Sequence, residues 1–330
     1  MDEQTQIRQA LGAFPQARIG VLGDLMADRF IYGKASRISP EAPVPVVHIT
    51  HRTTQPGGAA NVGNNVLSMG GTLSLFGVLG DDEAGGEIRG LLEERGARMD
   101  GVVSVGGRPS TVKTRVVAQN QQVVRYDEET TADIDQPTRD CLLASVRHAL
   151  PQLDILLLSD YAKGVLTEEL AASLMAAAHE AGVPVVVDPK PGNITRYQGA
   201  DLVKPNLSEA MALFGHDAAG NLRDMESVCR HVQEMAGCRQ VIVTAGQEGM
   251  HVLDGEGSYR HLPGMPREVF DVAGAGDSTL AAIAMALAGG ADLFVAARIG
   301  NLAGSIAVGH LGVTAVRLEE MMKELEEFLG

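Results

Sequence analysis

Short apolar runs recur along this chain at intervals that leave room for a helix between them. Arg18–Gly23, Thr72–Gly80, Asp154–Ser159, Val183–Val187, Asp201–Val203 and Val241–Thr244 are rich in Val, Leu and Ile. Runs of that form predict strands covered on both faces. Between them, Asp82–Gly96 reads as a helix with Gly96 at its C-cap, Thr167–Gly182 as another, and Ser278–Ala288 as an alanine-rich one. Met1–Gln16 looks like a polar amphipathic helix and Val62–Met69 like a helix opened by glycines. After Val241–Thr244 comes a turn, Ala245–Gly249, and a hairpin through Tyr259. Strand and helix in alternation predict an α/β fold, a mostly parallel sheet with helices on both faces.

Two segments break that rhythm. In Ser36–Ile49 three prolines forbid a helix, and Val44–Ile49 reads as an edge strand. His48 and His51 fall on opposite faces of it, which is no metal-ligand arrangement. Further on, Ser110–Val117 and Gln122–Asp127 alternate polar and apolar residues around Ala118-Gln119-Asn120-Gln121, a hairpin exposed on one face. Residues from about 30–52 and 108–128 would then form a small β-sheet outside the main core, a lid or a dimer contact that covers open strand edges. Apart from that insertion, residues 1–330 read as one domain.

Composition narrows the partners. A hydrophobic share of 45% with 21% charged residues is an ordinary globular balance. The net charge of −15 argues against nucleic acid or an anionic membrane as partner. Cys141, Cys229 and Cys238 are odd in number and lack C-x-x-C spacing, as expected of thiols in a reducing compartment. The most apolar region, Leu280–Ala297, is interrupted by Gly289, Gly290 and Asp292. With no N-terminal signal pattern either, a cytoplasmic location is expected.

The chemistry is concentrated in Asp271-Val272-Ala273-Gly274-Ala275-Gly276-Asp277, directly ahead of the alanine-rich helix. Gly274 and Gly276 allow a tight turn and a close ligand, and the helix start offers free N–H groups and a positive dipole end to a phosphoryl group. A carboxylate is a poor neighbour for an anion unless it removes a proton from an attacking hydroxyl. That makes Asp277 a candidate base for phosphoryl transfer to an alcohol. A dinucleotide site is the weaker reading, because Thr279 stands at the third glycine position of G-x-G-x-x-G. Earlier in the chain, Gly57 and Gly58 would let a ligand lie on the backbone, and Asn61 can both donate to and accept from hydroxyls. Polar groups also follow the strands as a set: Asp24, Asp160-Tyr161-Ala162-Lys163-Gly164, Asp188-Pro189-Lys190, Lys204-Pro205-Asn206 with Glu209, and Thr244-Ala245-Gly246. In a parallel sheet they converge on one edge, where ligands bind.

Gly57-Gly58-Ala59-Ala60-Asn61 and Asp271–Asp277 together resemble the two signatures of the ribokinase-like (PfkB) carbohydrate kinases, over essentially the whole chain. More narrowly, Ser36–Val46, Arg115–Arg125 with Asn120-Gln121-Gln122, Ser159–Gly164 and Lys204–Glu209 resemble the D-glycero-β-D-manno-heptose 7-phosphate kinases. The resemblance implies that ATP phosphorylates the anomeric hydroxyl of the heptose phosphate to give the 1,7-bisphosphate, a step toward the lipopolysaccharide heptose precursor. It implies a stand-alone kinase, since no H-x-G-H type motif of a nucleotidyltransferase follows. Within it Asp277 would be the base and the backbone of Gly274, Ala275, Gly276 and Asp277 the anion hole. Asp24, Asp28, Gly57, Gly58 and Asn61 would hold the sugar, with Asp160 beside them. Asn206 and Glu209 would organise Mg²⁺, mostly through water, and Lys190 and Lys204 would meet phosphate oxygens. Thr244, Gly246 and Gly249 resemble the nucleotide loop, and Asn301 the adenine edge. The sugar's distal phosphate needs a cation, for which Lys113, Arg115, Lys163 and Arg37 are candidates. A homodimer through the lid sheet is also implied. The alternatives are a kinase for ribose or for a fructose or tagatose phosphate, and a non-catalytic sugar-phosphate sensor.

Overall fold

The computed structural model describes residues 2–119, 121–213, 224–265, 267–310 and 312–329. Met1 of the expected first helix and Asn120 of the expected hairpin turn lie outside the described residues. In chain order the first strands are β1 (Arg18–Gly23), β2 (Leu25–Ile38), β3 (Pro45–Gly58), β4 (Thr72–Gly80), β5 (Arg98–Val105), β6 (Thr111–Ala118) and β7 (Gln121–Glu128). They are followed by β8 (Ile155–Ser159), β9 (Val185–Asp188), β10 (Leu202–Val203), β11 (Gln240–Thr244), β12 (Met250–Leu253) and β13 (Tyr259–Leu262). The helices are α1 (Glu3–Ala13), α2 (Ala59–Ser68), α3 (Glu83–Glu93), α4 (Gln136–Ala149) and α5 (Glu168–Ala181). After them come α6 (Leu207–Ala212), α7 (Met225–Ala236), α8 (Ala275–Ala288), α9 (Leu293–Val308) and α10 (Leu318–Leu329).

The main sheet has nine strands in the order β13-β12-β11-β10-β9-β8-β1-β4-β5. Every pair from β11 to β5 is parallel, and the β11-β12 and β12-β13 pairs are antiparallel. Strand β1 lies inside the sheet between β8 and β4, and its side chains divide between two cores. Ile19 and Val21 join one core with residues of α2, α8 and α9, while Leu22 joins the other with residues of α4, α5 and α7. Burial on both faces is why β1 and β4 read as unbroken apolar runs with the expected limits. Helix α5 is held between Thr167, whose side chain accepts from the Leu170 N–H, and Gly182, whose left-handed backbone closes the last turn. Among the described residues no helix is long and apolar enough to cross a membrane.

The second sheet has four strands in the order β3-β2-β6-β7. Its expected strand at Val44–Ile49 is a longer strand, β3, that runs through Pro56, Gly57 and Gly58 into α2. The proline is tolerated there because β3 is an edge strand. Its partner β2 was not foreseen as a strand of this length. Its first half is buried and its tip exposed, so no single polar–apolar period runs through its 14 residues. The β6-β7 hairpin falls within one residue of the expected limits, and Gln119 in its turn has φ of 53°.

Candidate active site

Gly274 caps α8 with φ of 80°, in the left-handed region that suits glycine. Ala275, Gly276 and Asp277 therefore occupy the first helical turn, whose N–H groups have no partner inside the helix. A Cβ on Gly276 would meet nothing within 4 Å, so the turn is open to a ligand on that side. On the other side, a Cβ on Gly274 would press on Asn61 Nδ2 at 2.9 Å. Asp271 ties the approach to the turn, accepting the Ala273 N–H at 3.0 Å and the Gly312 N–H at 3.2 Å.

Asp277 is 6% exposed and faces two side-chain donors. Asn61 Nδ2 donates to Oδ2 at 2.8 Å, and the Tyr161 hydroxyl donates to Oδ1 at 2.6 Å. Burial pushes its carboxyl up to about 6; Tyr161 and Asn61 pull it down, and nearby Asp188 adds to the rise. Such a group is ionised at neutral pH yet basic enough to take a proton. Asn61, expected to meet sugar hydroxyls, has its amide on Asp277, and Asn65 Nδ2 donates to the Asn61 backbone carbonyl at 2.9 Å.

The carboxylates at the ends of β1 and β8 work on the backbone. Asp24 is 2% exposed and accepts N–H groups from Tyr161 at 2.8 Å, Lys163 at 3.2 Å and Val165 at 3.3 Å. Burial lifts it to about 6 as well, against those three donors. Asp160 accepts the Ala162 N–H at 2.7 Å, Asn193 Nδ2 at 2.8 Å and the Tyr197 hydroxyl at 2.7 Å. Each carboxylate accepts three hydrogen bonds from within the chain, and together they fix the 161–165 turn. Gly57 and Gly58 make room for the chain itself. A Cβ on Gly57 would enter the Asp28 carboxylate, and one on Gly58 would meet the Asp24 carbonyl oxygen at 2.6 Å. The space those glycines leave is filled by the chain itself.

Cations gather on the small sheet. Asp28 on β2 pairs with Arg115 on β6, and the register sets Asp28 opposite Lys113. Lys163 pairs with Glu129 at 2.7 Å. Lys113 makes no ion pair among the described residues; its ammonium lies 5.4 Å from the centroid of the Tyr161 ring. Burial lowers its pKa, partly offset by Asp28.

Lys190 lies on the same ring, 5.2 Å from its centroid, and pairs with Glu209 at 2.5 Å. Burial works against its charge, but Glu209 outweighs this and the net shift is upward. Asn206 and Glu209 form a capping box at the start of α6. Asn206 Oδ1 accepts the Glu209 N–H and Glu209 Oε2 accepts the Asn206 N–H, both at 2.9 Å. Asn206 also forms a backbone bridge to Thr244, so the ends of β10 and β11 meet. Buried Lys204 pairs with Asp188 at 3.2 Å. In the loop after β11, Gly246 has φ of 56° with open space beyond it, while Gly249 packs on the 262–264 turn. Asn301 donates to the Pro263 carbonyl at 2.8 Å, on the same 262–264 turn that Gly249 packs against.

Among the described residues, no group of three or more His, Cys, Asp or Glu could hold a metal ion. One carboxylate, Glu209, beside a place for phosphate suits an ion such as Mg²⁺ that keeps its waters and rides on phosphate oxygens. The structure thus joins Asp277, Asn61, Tyr161, Lys113 and Lys190 to Glu209, Asn206 and Thr244 in one continuous cluster. Tyr161 is the member that sequence reasoning passed over, although an aromatic directly after a buried strand was a signal.

Residues 16–320 match the pfkB family carbohydrate kinase description. The chain is 40% identical over 328 residues to the bifunctional protein HldE of Rhodospirillum rubrum, covering 99% of this chain and 66% of that protein. With the bifunctional protein HldE of Gluconacetobacter diazotrophicus, identity is 39% over 312 residues, 94% of this chain and 64% of the other. The chain thus spans about two thirds of the length of these curated relatives. In fold it is similar to phosphofructokinase-2 from Escherichia coli in complex with substrates and products, with a TM-score of 0.75 and 21% identity over 94% of this chain and 98% of that one. It is similarly close to Arabidopsis thaliana ribokinase complexed with ribose and ATP, with a TM-score of 0.73 and 20% identity over 94% and 99% of the two chains.

Proposed function

The chain belongs to the pfkB family of carbohydrate kinases, and we propose that within it the substrate is D-glycero-D-manno-heptose 7-phosphate, phosphorylated by ATP on its anomeric hydroxyl. The observation that carries the transfer step is Asp277 in the open first turn of α8, buried and held by two side chains. Asp277 takes the hydroxyl proton as the sugar oxygen bonds to the γ-phosphorus; the bond from that phosphorus to the bridging oxygen breaks, and ADP leaves. The first N–H groups of α8 face the charge on the transferred group, and Lys190 stands ready for phosphate oxygens beside Glu209. Glu209 and Asn206 would hold Mg²⁺ through its waters, and the ion would supply positive charge to the phosphate oxygens. Thr244 and Gly246 form the nucleotide side.

Lys113 is the best seat for the distal phosphate: Arg115 and Lys163 already have carboxylate partners, Arg37 is exposed at the tip of β2, and among the described residues Lys113 carries a half-buried charge without an ion pair. The heptose reading is supported by sequence blocks that resemble heptose 7-phosphate kinases and by the 40% identity to a bifunctional HldE protein. It would supply a 1,7-bisphosphate for the heptose precursor of lipopolysaccharide, in the cytoplasm. Ile38, Ile49, Val124 and Tyr126 on the small sheet are exposed, and a second copy of the chain is the occupant we propose for that apolar surface. Sedimentation as a monomer at micromolar concentration would remove the dimer. For the reaction, ADP release is measured over a panel of sugars and sugar phosphates. Highest kcat/KM is expected with the heptose 7-phosphate; higher values with ribose or a fructose or tagatose phosphate would overturn the heptose assignment and leave the kinase standing.

A further inference from the structure

The turn after β8 is pinned more heavily than a surface turn needs. Asp24 and Asp160 hold four of its N–H groups from below, and Ala162 is bent to φ of 56°. What this rigid turn presents is one aromatic side chain, whose hydroxyl donates to Asp277 Oδ1 at 2.6 Å. Lys113 and Lys190, from the two sides of the cluster, both lie against its ring. We propose that Tyr161 is a positioning residue, whose phenol orients the Asp277 carboxylate and holds it in its ionised form for proton abstraction. The inference rests on the reading of Asp277 as base.

The chemistry is that of a charge-assisted hydrogen bond. A phenol can give its proton to a carboxylate oxygen but has nothing to offer a neutral acid beyond a weaker contact, so it favours the anion. Burial, Asp277 and Asp188 hold the phenol itself well above its ordinary pKa, so it remains a donor across the working pH range. Asn61 restrains Oδ2, and Tyr161 restrains Oδ1; each oxygen keeps a second lone pair for the attacking hydroxyl. Tyr197 provides an internal comparison. It makes the same kind of bond to Asp160, at 2.7 Å, with its side chain fully buried and no contact with Asp277.

The test is kcat against pH for Tyr161→Phe and Tyr197→Phe, with melting curves to verify folding. Losing one of two donors should move the acid limb of kcat up by about one pH unit in Tyr161→Phe. Turnover then falls roughly threefold at pH 6.5 and returns by pH 9, while Tyr197→Phe leaves the limb in place. A loss of equal factor at every pH, no change, or an equal shift in Tyr197→Phe overturns the proposal. If Tyr161→Phe does not fold, global 3-fluorotyrosine substitution keeps the wild-type shape and strengthens the donor. The limb should then move down, and an unmoved limb overturns the proposal. Asp277→Asn separates the two layers. If that variant keeps its turnover, the base assignment fails and the tyrosine proposal with it. If it loses turnover while Tyr161→Phe leaves the limb unmoved, only the tyrosine proposal fails.

Discussion

Replacing Asp277 by Asn should remove activity and, at alkaline pH, relieve the fold. The wild-type carboxyl is raised by burial from 3.8 to about 6. A carboxyl raised on folding contributes stability that is fully present below 3.8 and is lost as pH rises through about 6. The full swing is worth about 3 kcal/mol, of which about 1 kcal/mol falls between pH 5 and pH 8. Asn cannot ionise, so the variant escapes that loss. It introduces a separate penalty, because either orientation of the amide turns its NH₂ toward Asn61 or Tyr161. That mismatch costs about 1–3 kcal/mol but does not depend on pH. The diagnostic quantity is therefore a difference. Urea denaturation at both pH values should show the variant gaining on wild type by about 1 kcal/mol from pH 5 to pH 8, whatever its absolute rank. Asp24, also raised to about 6, is common to both proteins and cancels. Turnover should fall roughly 10²–10⁴-fold with ATP binding retained. Near-normal turnover would refute the base, and a stability difference that is flat in pH would refute the claim that burial strains this carboxylate.

Four further outcomes follow from the same geometry. Lys113→Ala should raise KM about tenfold or more for a sugar bearing the distal phosphate and leave the unphosphorylated sugar unchanged; equal losses on both would show that Lys113 does not read that phosphate. Gly57→Ala drives a Cβ into the Asp28 carboxylate, so stability should drop by about 1–3 kcal/mol and sugar affinity with it, checked by denaturation and KM. Asp24→Asn leaves one of three buried N–H groups facing an amide NH₂; a loss of about 1–3 kcal/mol is expected, with faster amide exchange in the 161–165 turn. Glu209→Gln should raise the Mg²⁺ concentration needed for half-maximal rate while the sugar KM holds, and an unchanged Mg²⁺ curve would remove Glu209 from the metal's surroundings.

The main sheet was legible because its strands are covered on both faces, which turns burial into uninterrupted Val, Leu and Ile. The small sheet was legible only where one face meets water. In the β6-β7 hairpin, alternation marks the strands to within a residue. In β2 the buried half contains Asp28 beside Phe30 and Ile31, because a polar site rather than an apolar core covers one of its faces. Strand β5 was missed for a related reason: it is a sheet edge, and Arg98-Met99-Asp100-Gly101 opens it with little apolar signal.

For the site, residue type and position at a strand end located the region but could not sort its carboxylates. Asp24, Asp28, Asp160 and Asp277 look alike in sequence, and the structure separates them by what donates to each. Asp24 takes three backbone N–H groups. Asp160 takes one backbone group and two side chains, half-buried Asn193 and buried Tyr197. Backbone donors cannot leave without unfolding the turn they belong to, so those two carboxylates are committed to architecture. Asp28 and Asp277 are met by side chains alone, Arg115 for the first and Asn61 with Tyr161 for the second. Side-chain donors can rotate away or share an oxygen, which is what a group must allow if a substrate hydroxyl is to approach it. The same contrast explains why a carboxylate at about 6 has opposite meanings at the two positions. At Asp24 it is the cost of burial, which the three N–H donors of the turn reduce, whereas at Asp277 it is the basicity that the proposed transfer needs beside the open first turn of α8.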